Sequence, residues 1–243
     1  MRLENKKALV TGASRGIGKA IALAYADEGA DVAITARRTE SLEETAREIE
    51  SKGRCACTLA WDLRDVSRID DRLAEVRESL GGLDIVVNNA GVLRGNEENP
   101  VPDPESFWDY IMDINLKAVC FVSQGAAKPM KEQESGIIIN LASDAGMRAA
   151  ASPYGISKWG VIGLTRGLAK ELAPHGIRVN VIAPGPVATE MMNWHPGKSM
   201  ESPSLPLGRY SLPEEVAGVA VFLASEESAA VVGDIVLLNS SNG

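Results

Sequence analysis

The chain has little cysteine and little histidine, the residues that build disulfide frameworks and many metal sites. Among its 243 residues are three cysteines and two histidines, and His175 and His195 belong to no paired metal-ligand motif. Cys55 and Cys57 alternate on a predicted strand and Cys120 stands apart, which fits no metal-ligand spacing. We therefore expect neither a disulfide framework nor a metal ion.

Long apolar runs and a basic charge balance are also missing. No hydrophobic stretch approaches the roughly 18 residues that span a bilayer, and Met1–Lys7 lacks the features of a signal peptide. The net charge of −8 argues against nucleic acid and against an anionic membrane surface as partners. These absences lead us to expect a cytoplasmic protein.

Short β-branched runs alternate with longer helical patterns along the whole chain. Most predicted strands are continuous apolar runs, which is typical of strands buried on both faces of a parallel sheet. We predict an α/β fold with a doubly wound, seven-stranded parallel sheet flanked by helices on both faces, in a single domain of residues 1–243. The predicted strands are Ala8–Thr11, Val32–Ala36, Cys55–Trp61, Ile85–Asn88, Ile137–Leu141, Arg178–Ile182 and Ile235–Leu238. The predicted helices are Ile17–Glu28, Ser41–Ser51, Ser67–Ser79, Glu105–Lys131, Pro153–Leu172 and Pro213–Ala224.

One stretch, Met191–Leu207, is rich in proline, serine and methionine and shows no periodicity. A disordered insertion and a mobile loop over a substrate would both have this composition. Because the stretch follows the sixth predicted strand, we favour a mobile substrate loop over about residues 190–207.

The first strand runs into a glycine-rich turn, residues 11–18 with the sequence TGASRGIG, and a helix begins inside it. Glycines let the chain turn sharply and let a pyrophosphate approach the backbone at the helix N-terminus. Such a turn is weak evidence alone, but between a strand and a helix it predicts a dinucleotide site. The candidate residues in this turn are Gly12, Ser14, Arg15, Gly16, Ile17 and Gly18.

Tyr154 and Lys158 lie four residues apart on a predicted helix, so their side chains share one face. A tyrosine with a pKa of about 10 is a poor proton donor and acceptor at neutral pH. A neighbouring ammonium group favours the phenolate, so we expect Lys158 to lower the pKa of Tyr154. The pair then becomes a usable general acid and base.

These motifs, in this order, resemble the short-chain dehydrogenase/reductase family from Thr11 to about Gly233. The other matching segments are Asn88–Gly91 (NNAG), Asn115 in DIN, Ser143 in LASDAG and Pro184–Thr189 (PGPVAT). The resemblance implies a Rossmann fold and an oxidoreductase that moves hydride between a nicotinamide cofactor and a carbonyl or alcohol.

The resemblance also implies a role for each residue of the site. Tyr154 would exchange a proton with the substrate oxygen, and Ser143 would polarise that oxygen. Lys158 would hold the nicotinamide ribose and lower the pKa of Tyr154, and Asn115 would support a water that links Lys158 to solvent. The other implied cofactor residues are Asp62 and Leu63 at the adenine, Asn89, Ala90 and Gly91 after the fourth strand, and Pro184, Gly185, Val187 and Thr189 at the nicotinamide.

The end of the second strand favours NADP(H). Enzymes that prefer NAD place an acid there against the ribose 2′-hydroxyl, whereas this chain has Arg37 and Arg38. Arg15 approaches from the glycine turn, and guanidinium groups suit a 2′-phosphate. The alternative is that Arg37 and Arg38 only extend into solvent, which leaves NAD(H) open as the cofactor.

For the substrate, the glycine turn and Pro206–Arg209 (PLGR) resemble the 3-oxoacyl-(acyl-carrier-protein) reductase group. This resemblance implies a 3-oxoacyl thioester on an acidic carrier protein, for which Lys128 and Lys131 offer a docking patch. The alternative substrate is a sugar, polyol or other small alcohol, and a remote alternative is a non-catalytic dinucleotide-binding scaffold. The candidate substrate contacts are Ser143, Tyr154, Met191 and Trp194. The family resemblance also implies a homotetramer.

Two segments depart from the family pattern. Tyr154 follows Ser143 more closely than in most members, which puts the shape of the pocket beside Ser143 in doubt. Asn239–Ser241 stands where members commonly have the sequence D-G-G, which puts the local backbone and a subunit contact in doubt.

Overall fold

The computed structural model describes residues 1–95 and 101–240, and it contains the predicted sheet. All the strands run parallel, in the order β3-β2-β1-β4-β5-β6-β7. They are β1 (Lys7–Thr11), β2 (Asp31–Ala36), β3 (Ala56–Ala60), β4 (Ile85–Asn88), β5 (Gly136–Leu141), β6 (Ile177–Pro184) and β7 (Ile235–Leu238). The predicted α/β fold with a seven-stranded parallel sheet is confirmed.

The helices lie on both faces of this sheet. In the described ranges they are α1 (Gly16–Asp27), α2 (Glu43–Ser51), α3 (Ile69–Leu80), α4 (Pro104–Met112), α5 (Ala118–Glu132), α6 (Pro153–Leu172) and α7 (Pro213–Ala224). The predicted helix Glu105–Lys131 is interrupted by a π-helical turn, Asp113–Lys117, between α4 and α5. None of the helices in these ranges is long and apolar enough to cross a membrane.

Neighbouring residues of the central strands enter different hydrophobic cores. On β4, Val87 packs into the core under α1, α2 and α7, while Val86 packs into the core under α3, α5 and α6. On β1, Val10 packs into the first of these cores and Leu9 packs into the second. This two-sided burial explains why these strands are continuous apolar runs in the sequence.

The order of the strands switches sides at β1: β2 and β3 lie on one side of it, and β4 to β7 lie on the other. This switch point determines where the functional cleft lies. β1 pairs with β2 on one side and with β4 on the other. The connections on the two sides of such a switch point leave in opposite directions, which opens a crevice at the carboxyl ends of the strands. The glycine turn after β1 and the NNAG segment after β4 meet there.

A buried chain of polar side chains ties the elements that carry the site. Asn88 Nδ2 donates to Asn140 Oδ1 at 2.8 Å and to Ser123 Oγ at 2.9 Å, and Asn140 Nδ2 donates to Thr165 Oγ1 at 2.8 Å. The chain links β4 and β5 to α5 and α6. A satisfied polar network in a dry interior fixes relative positions, so it sets α6 against the end of β5.

Candidate active site

One cavity of about 1050 Å³ opens at the carboxyl ends of the strands. The predicted cofactor and substrate residues all line it, from Gly12 in the glycine turn to Thr189 after β6 and Trp194 beyond. Of the four predicted catalytic residues, Ser143, Tyr154 and Lys158 line the cavity, and Asn115 lies behind its wall. The fold therefore gathers segments far apart in sequence around one space of a size suited to a dinucleotide and a substrate.

The glycine turn is held against the NNAG segment at the floor of the cavity. Gly12 has φ +67°, and a Cβ there would come 2.9 Å from Ala90 Cα. A Cβ on Gly18 would collide with the Asn89 side chain. Asn89 Nδ2 donates to the carbonyls of Thr11 at 2.9 Å and Gly12 at 3.0 Å, so the turn needs glycine at both positions.

The N-terminus of α1 is suited to a pyrophosphate. The helix begins at Gly16, its N-cap residue is Arg15, and no side chain in the described ranges caps its first N–H groups. Uncapped N–H groups at a helix start bind anions through hydrogen bonds and the helix dipole. This turn therefore fits the phosphates of the implied dinucleotide.

The adenosine end of the cavity is rich in arginine. It is lined by Arg37 and Arg38, which follow β2, and by Arg64, which follows β3. Arg64 donates to the Asp62 carboxylate, from Nη2 to Oδ2 at 2.6 Å and from Nε to Oδ1 at 3.0 Å. These hydrogen bonds hold the pKa of Asp62 below its usual value, and the charge of Arg37 acts in the same direction. Sequence reasoning missed Arg64, although its position two residues after Asp62 is a usable signal.

Arg15, the third predicted phosphate ligand, contacts the start of the predicted substrate loop. Its Nη1 lies 2.9 Å from Glu190 Oε2, and both side chains are largely exposed. An exposed ion pair of this kind contributes little to stability, so a bound phosphate can replace the glutamate. No feature of the sequence indicated this pairing.

Tyr154 and Lys158 occupy the predicted helix face near the start of α6. Lys158 Nζ lies 5.7 Å from the centre of the Tyr154 ring and donates to the carbonyl of Leu141 at 2.9 Å. Burial lowers the pKa of Lys158 from 10.5 to about 8. Burial also raises the pKa of Tyr154, against the opposing effect of its hydrogen bond with Ser143. The expected lowering of the pKa of Tyr154 is therefore wrong for this structure, because burial and the charge of Asp144 outweigh the effect of Ser143.

Lys158 is expected to reduce the stability of the fold. Its pKa in the folded state lies below the unfolded value, so between about pH 8 and 10.5 the unfolded chain binds more protons and stability rises with pH. We predict that Lys158→Met raises the free energy of unfolding at pH 7 by on the order of 1 to 2 kcal/mol and removes that rise. Urea denaturation at pH 7 and pH 10 measures both effects, and a variant less stable than wild type at pH 7 would contradict the prediction.

Ser143 lies beside Tyr154 at the end of β5. It begins a 3₁₀ turn, Asp144–Met147, and its Oγ accepts from the backbone N–H of Ala145 at 3.2 Å. The side chain of Ser143 lies close enough to Tyr154 to act against the rise in the tyrosine pKa. The short sequence spacing between Ser143 and Tyr154 therefore does not prevent their side chains from meeting.

The π-helical turn turns Asn115 inward behind the cavity wall. Asn115 Nδ2 donates to the carbonyl of Val92 at 2.8 Å, and its Oδ1 accepts from the N–H of Val92 at the same distance. A Cβ on Gly91 would lie 3.5 Å from Asn115 Oδ1 and 3.6 Å from Lys158 Nζ, so both side chains flank one backbone segment. A water link between them remains a prediction.

The substrate side of the cavity mixes apolar and polar groups. Met191 and Met192 lie on its outer wall and are partly exposed. The buried indole N–H of Trp194 has no hydrogen-bond partner within the described residues. Asp144 and Arg148 also line the cavity and form an ion pair at 3.2 Å. Sequence reasoning missed these last two, although both lie within five residues of Ser143.

Comparison with known proteins shows the family to which the chain belongs. Residues 6–197 match the family model described as short chain dehydrogenase. The chain is 40% identical to a 3-oxoacyl-[acyl-carrier-protein] reductase of Thermotoga maritima, over 97% of each protein. It is 36% identical to a gluconate 5-dehydrogenase of Gluconobacter oxydans, over 98% of this chain and 94% of that protein.

A solved structure matches the whole fold. A short chain dehydrogenase of Burkholderia cenocepacia in complex with NADP superposes with a TM-score of 0.87 at 33% identity, over 100% of both chains. Together with the motif order and the tyrosine–lysine pair on α6, these matches identify the chain as a member of the short-chain dehydrogenase/reductase family of oxidoreductases.

Proposed function

We propose that the protein is an NADP(H)-dependent enzyme that reduces a ketone to a secondary alcohol, with Tyr154 as the general acid. The observation that carries this proposal is the convergence of Ser143, Tyr154 and Lys158 on the cavity that also contains the glycine turn. The nicotinamide, when bound, supplies the hydride. Tyr154 donates the proton that the substrate oxygen needs as its negative charge develops.

Lys158 has two properties that suit it to this reaction. Its amine is buried next to the tyrosine ring, and its pKa of about 8 lies close to neutrality. An amine with such a pKa exchanges protons readily at working pH, so it can help to restore the proton on Tyr154. Asn115, which flanks the same backbone segment, is the proposed next residue on a path to solvent.

The arginines support NADP(H) as the cofactor. Arg37 and Arg38 follow β2, no carboxylate occupies the end of that strand in the sequence, and Arg15 lies in the turn opposite. Two or three guanidinium groups near one phosphate provide charge-assisted hydrogen bonds that a 2′-hydroxyl cannot use fully. The Burkholderia cenocepacia relative, solved with NADP, is consistent with this preference.

A 3-oxoacyl thioester is the first substrate candidate, supported by the 3-oxoacyl-[acyl-carrier-protein] reductase relatives and by the apolar side chains of Met191 and Met192. The proposed docking patch is weak. Lys128 pairs with Asp70 at 2.7 Å and Lys131 pairs with Glu171 at 3.1 Å, so an acidic carrier would meet partly neutralised charges.

A hydroxylated substrate is the second candidate. The polar side chains of Asp144 and Arg148 and the unpartnered indole N–H of Trp194 offer hydrogen bonds that a fatty acyl chain does not need. A gluconate 5-dehydrogenase among the relatives supports the same class. Buried polar groups left unpaired by a substrate lower its affinity, so these side chains discriminate between the two classes.

The deciding experiment is NADPH oxidation with a 3-oxoacyl thioester, 5-ketogluconate and a small diketone, and NADP⁺ reduction with the matching alcohols. Higher kcat/KM for the thioester supports the first candidate, and higher kcat/KM for the keto-sugar acid supports the second. Trp194→Phe, which removes the indole N–H together with part of the ring, should reduce turnover of hydroxylated substrates more than turnover of the thioester. Failure of every carbonyl and alcohol despite cofactor binding would support the non-catalytic scaffold.

Three further expectations remain proposals for this chain. These are the single domain, the homotetramer and the cytoplasmic location. The loop over about residues 190–207 is proposed as a substrate lid, and its ion pair between Glu190 and Arg15 would join the lid to the cofactor turn.

A further inference from the structure

Ser143 has nearly all of its hydrogen-bonding capacity in use. A serine hydroxyl has one hydrogen to donate and two lone pairs that accept. Ser143 Oγ donates to Asp144 Oδ1 at 3.1 Å and accepts from the N–H of Ala145 at 3.2 Å. One lone pair is left for the hydrogen bond with Tyr154. While the phenol is protonated it is the donor in that contact and Ser143 is the acceptor. The same contact lowers the pKa of Tyr154 only by the serine hydrogen turning from Asp144 to the phenolate.

The carboxylate that holds the Ser143 hydrogen is fixed from its other side. Asp144 is buried, with a side chain 8% exposed. Its Oδ2 accepts from Arg148 Nη2 at 3.2 Å and from Ser240 Oγ at 3.3 Å. The carboxylate cannot turn away from Ser143 without losing these bonds, which cost free energy to break in a buried site.

Ser240 is placed by the unusual end of the chain. Asn239, directly before it, adopts φ +45°, a left-handed conformation that asparagine tolerates better than most residues. Asn239 Nδ2 donates to the carbonyl of Arg209 at 2.8 Å, and its Oδ1 accepts from the N–H of Leu207 at 3.0 Å. Ser240, in the segment that departs from the family pattern, thus reaches the carboxylate beside Ser143, and Ser241 of that segment lies outside the described residues.

We propose that Asp144 is a positioning residue that keeps the Ser143 hydroxyl turned into an acceptor, so that the site is complementary to a substrate hydroxyl. An alcohol oxygen can accept from Tyr154 while its hydrogen donates to Ser143. A ketone oxygen only accepts, and it gains the Ser143 hydrogen only when that hydrogen leaves Asp144. The alcohol is therefore bound more tightly than the ketone. This inference rests on the proposed function of the same site.

Asp144→Asn is expected to reverse the orientation of the Ser143 hydroxyl. Arg148 and Ser240 both donate toward the Oδ2 position, so the amide oxygen of asparagine belongs there and its NH₂ group faces Ser143. Ser143 then accepts from the amide, and its own hydrogen is free for Tyr154 or for a ketone. The variant is nearly isosteric, so the change lies in hydrogen-bond polarity and charge.

The first test needs neither substrate nor cofactor. The Tyr154 phenolate is followed by near-ultraviolet absorbance during a pH titration, with Tyr154→Phe subtracted to remove the other tyrosines. The charge of Asp144 raises the pKa of Tyr154, so Asp144→Asn should lower that pKa. Asp103→Asn is the matched control, because Asp103 also accepts from a serine hydroxyl, at 2.7 Å, but lies on the exposed start of α4.

A double-mutant cycle separates charge from positioning. Asp144→Asn removes a negative charge in any background, but it releases the serine hydrogen only when Ser143 is present. The effect on the titration of Tyr154 should therefore be clearly smaller in a Ser143→Ala background. An equal effect in both backgrounds means that Asp144 acts by charge alone, and the proposal is then wrong. If Asp144→Asn does not fold, Ser240→Ala serves instead, because it keeps the negative charge and removes one of the hydrogen bonds that hold the carboxylate. It should lower the pKa of Tyr154 by less than Asp144→Asn would. An unchanged pKa in Ser240→Ala would also overturn the proposal.

The second test uses a ketone and alcohol pair that the enzyme turns over. Dead-end inhibition constants, for the alcohol against NADPH-bound enzyme and for the ketone against NADP⁺-bound enzyme, report binding without chemistry. Asp144→Asn should change their ratio about tenfold in favour of the ketone. If no substrate is found, the titration still decides the role of Asp144, so failure of the proposed function is distinguishable from failure of this inference.

Discussion

Tyr154→Phe is expected to lower kcat by about 10³-fold, within the range usual for loss of a general acid. The change removes one hydroxyl from a buried site and leaves the ring that packs beside Lys158. Without the phenol, the developing charge on the substrate oxygen must take its proton from water, which the buried site largely excludes. Because only the reacting oxygen is affected, cofactor binding should change little.

Stopped-flow NADPH oxidation under single-turnover conditions measures this loss directly, and fluorescence titration measures cofactor binding. Tyr210→Phe is the matched control, since Tyr210 does not line the cavity and keeps its backbone hydrogen bonds to Met200 and Arg209. Activity of Tyr154→Phe within tenfold of wild type would show that another group supplies the proton. Ser143, which lies beside Tyr154, would then be the first alternative donor to test, with Ser143→Ala in the phenylalanine background.

The double variant Arg37→Ala/Arg38→Ala is expected to lower kcat/KM for NADPH by about 10²- to 10⁴-fold, with a much smaller effect on NADH. Each charge-assisted hydrogen bond to a phosphate contributes about 1.5 to 3 kcal/mol, and two such groups are removed. NADH carries a neutral 2′-hydroxyl and loses only a weak contact. The preference for NADPH should therefore disappear.

Steady-state kinetics with both cofactors at two salt concentrations measures this change, because phosphate recognition by guanidinium groups weakens as salt rises. Arg47→Ala is the matched control, since Arg47 lies on the exposed surface of α2 and bonds to the carbonyl of Glu43. Equal losses with NADPH and NADH would mean that Arg37 and Arg38 support the fold of the site. The NADP(H) assignment would then be wrong.

The sequence predicted the sheet well because its signal is local and repeated. β4 and β7 have the predicted limits, and α6 begins and ends where Ser152-Pro153 and the residues after Leu172 indicate. Burial on both faces forces continuous apolar strands, and a capping serine before proline sets a helix start. Ser152 Oγ accepts from the N–H of Gly155 at 3.2 Å, as such a cap requires.

Most residues of the candidate site were predicted from local signals of the same kind. The glycine turn, the NNAG segment and the pair Tyr154 and Lys158 each follow or begin a regular element, so their positions follow once the parallel sheet is known. The π-helical turn that carries Asn115 had no recognised signal, since the apolar pattern of Glu105–Lys131 continues through it. A single extra residue in one turn changes which side chain faces inward without changing composition.

The sequence alone determined the fold, the order of the motifs and the residue types that meet at the cavity, because these depend on neighbours along the chain. Tertiary structure decided their chemical state. Burial raises the pKa of Tyr154 and lowers that of Lys158, and only packing sets how much water each group loses. The bond between Ser240 and Asp144 joins residues 96 positions apart. Neither the loss of water nor this contact can be predicted from neighbouring residues, because both depend on how segments distant in sequence pack together.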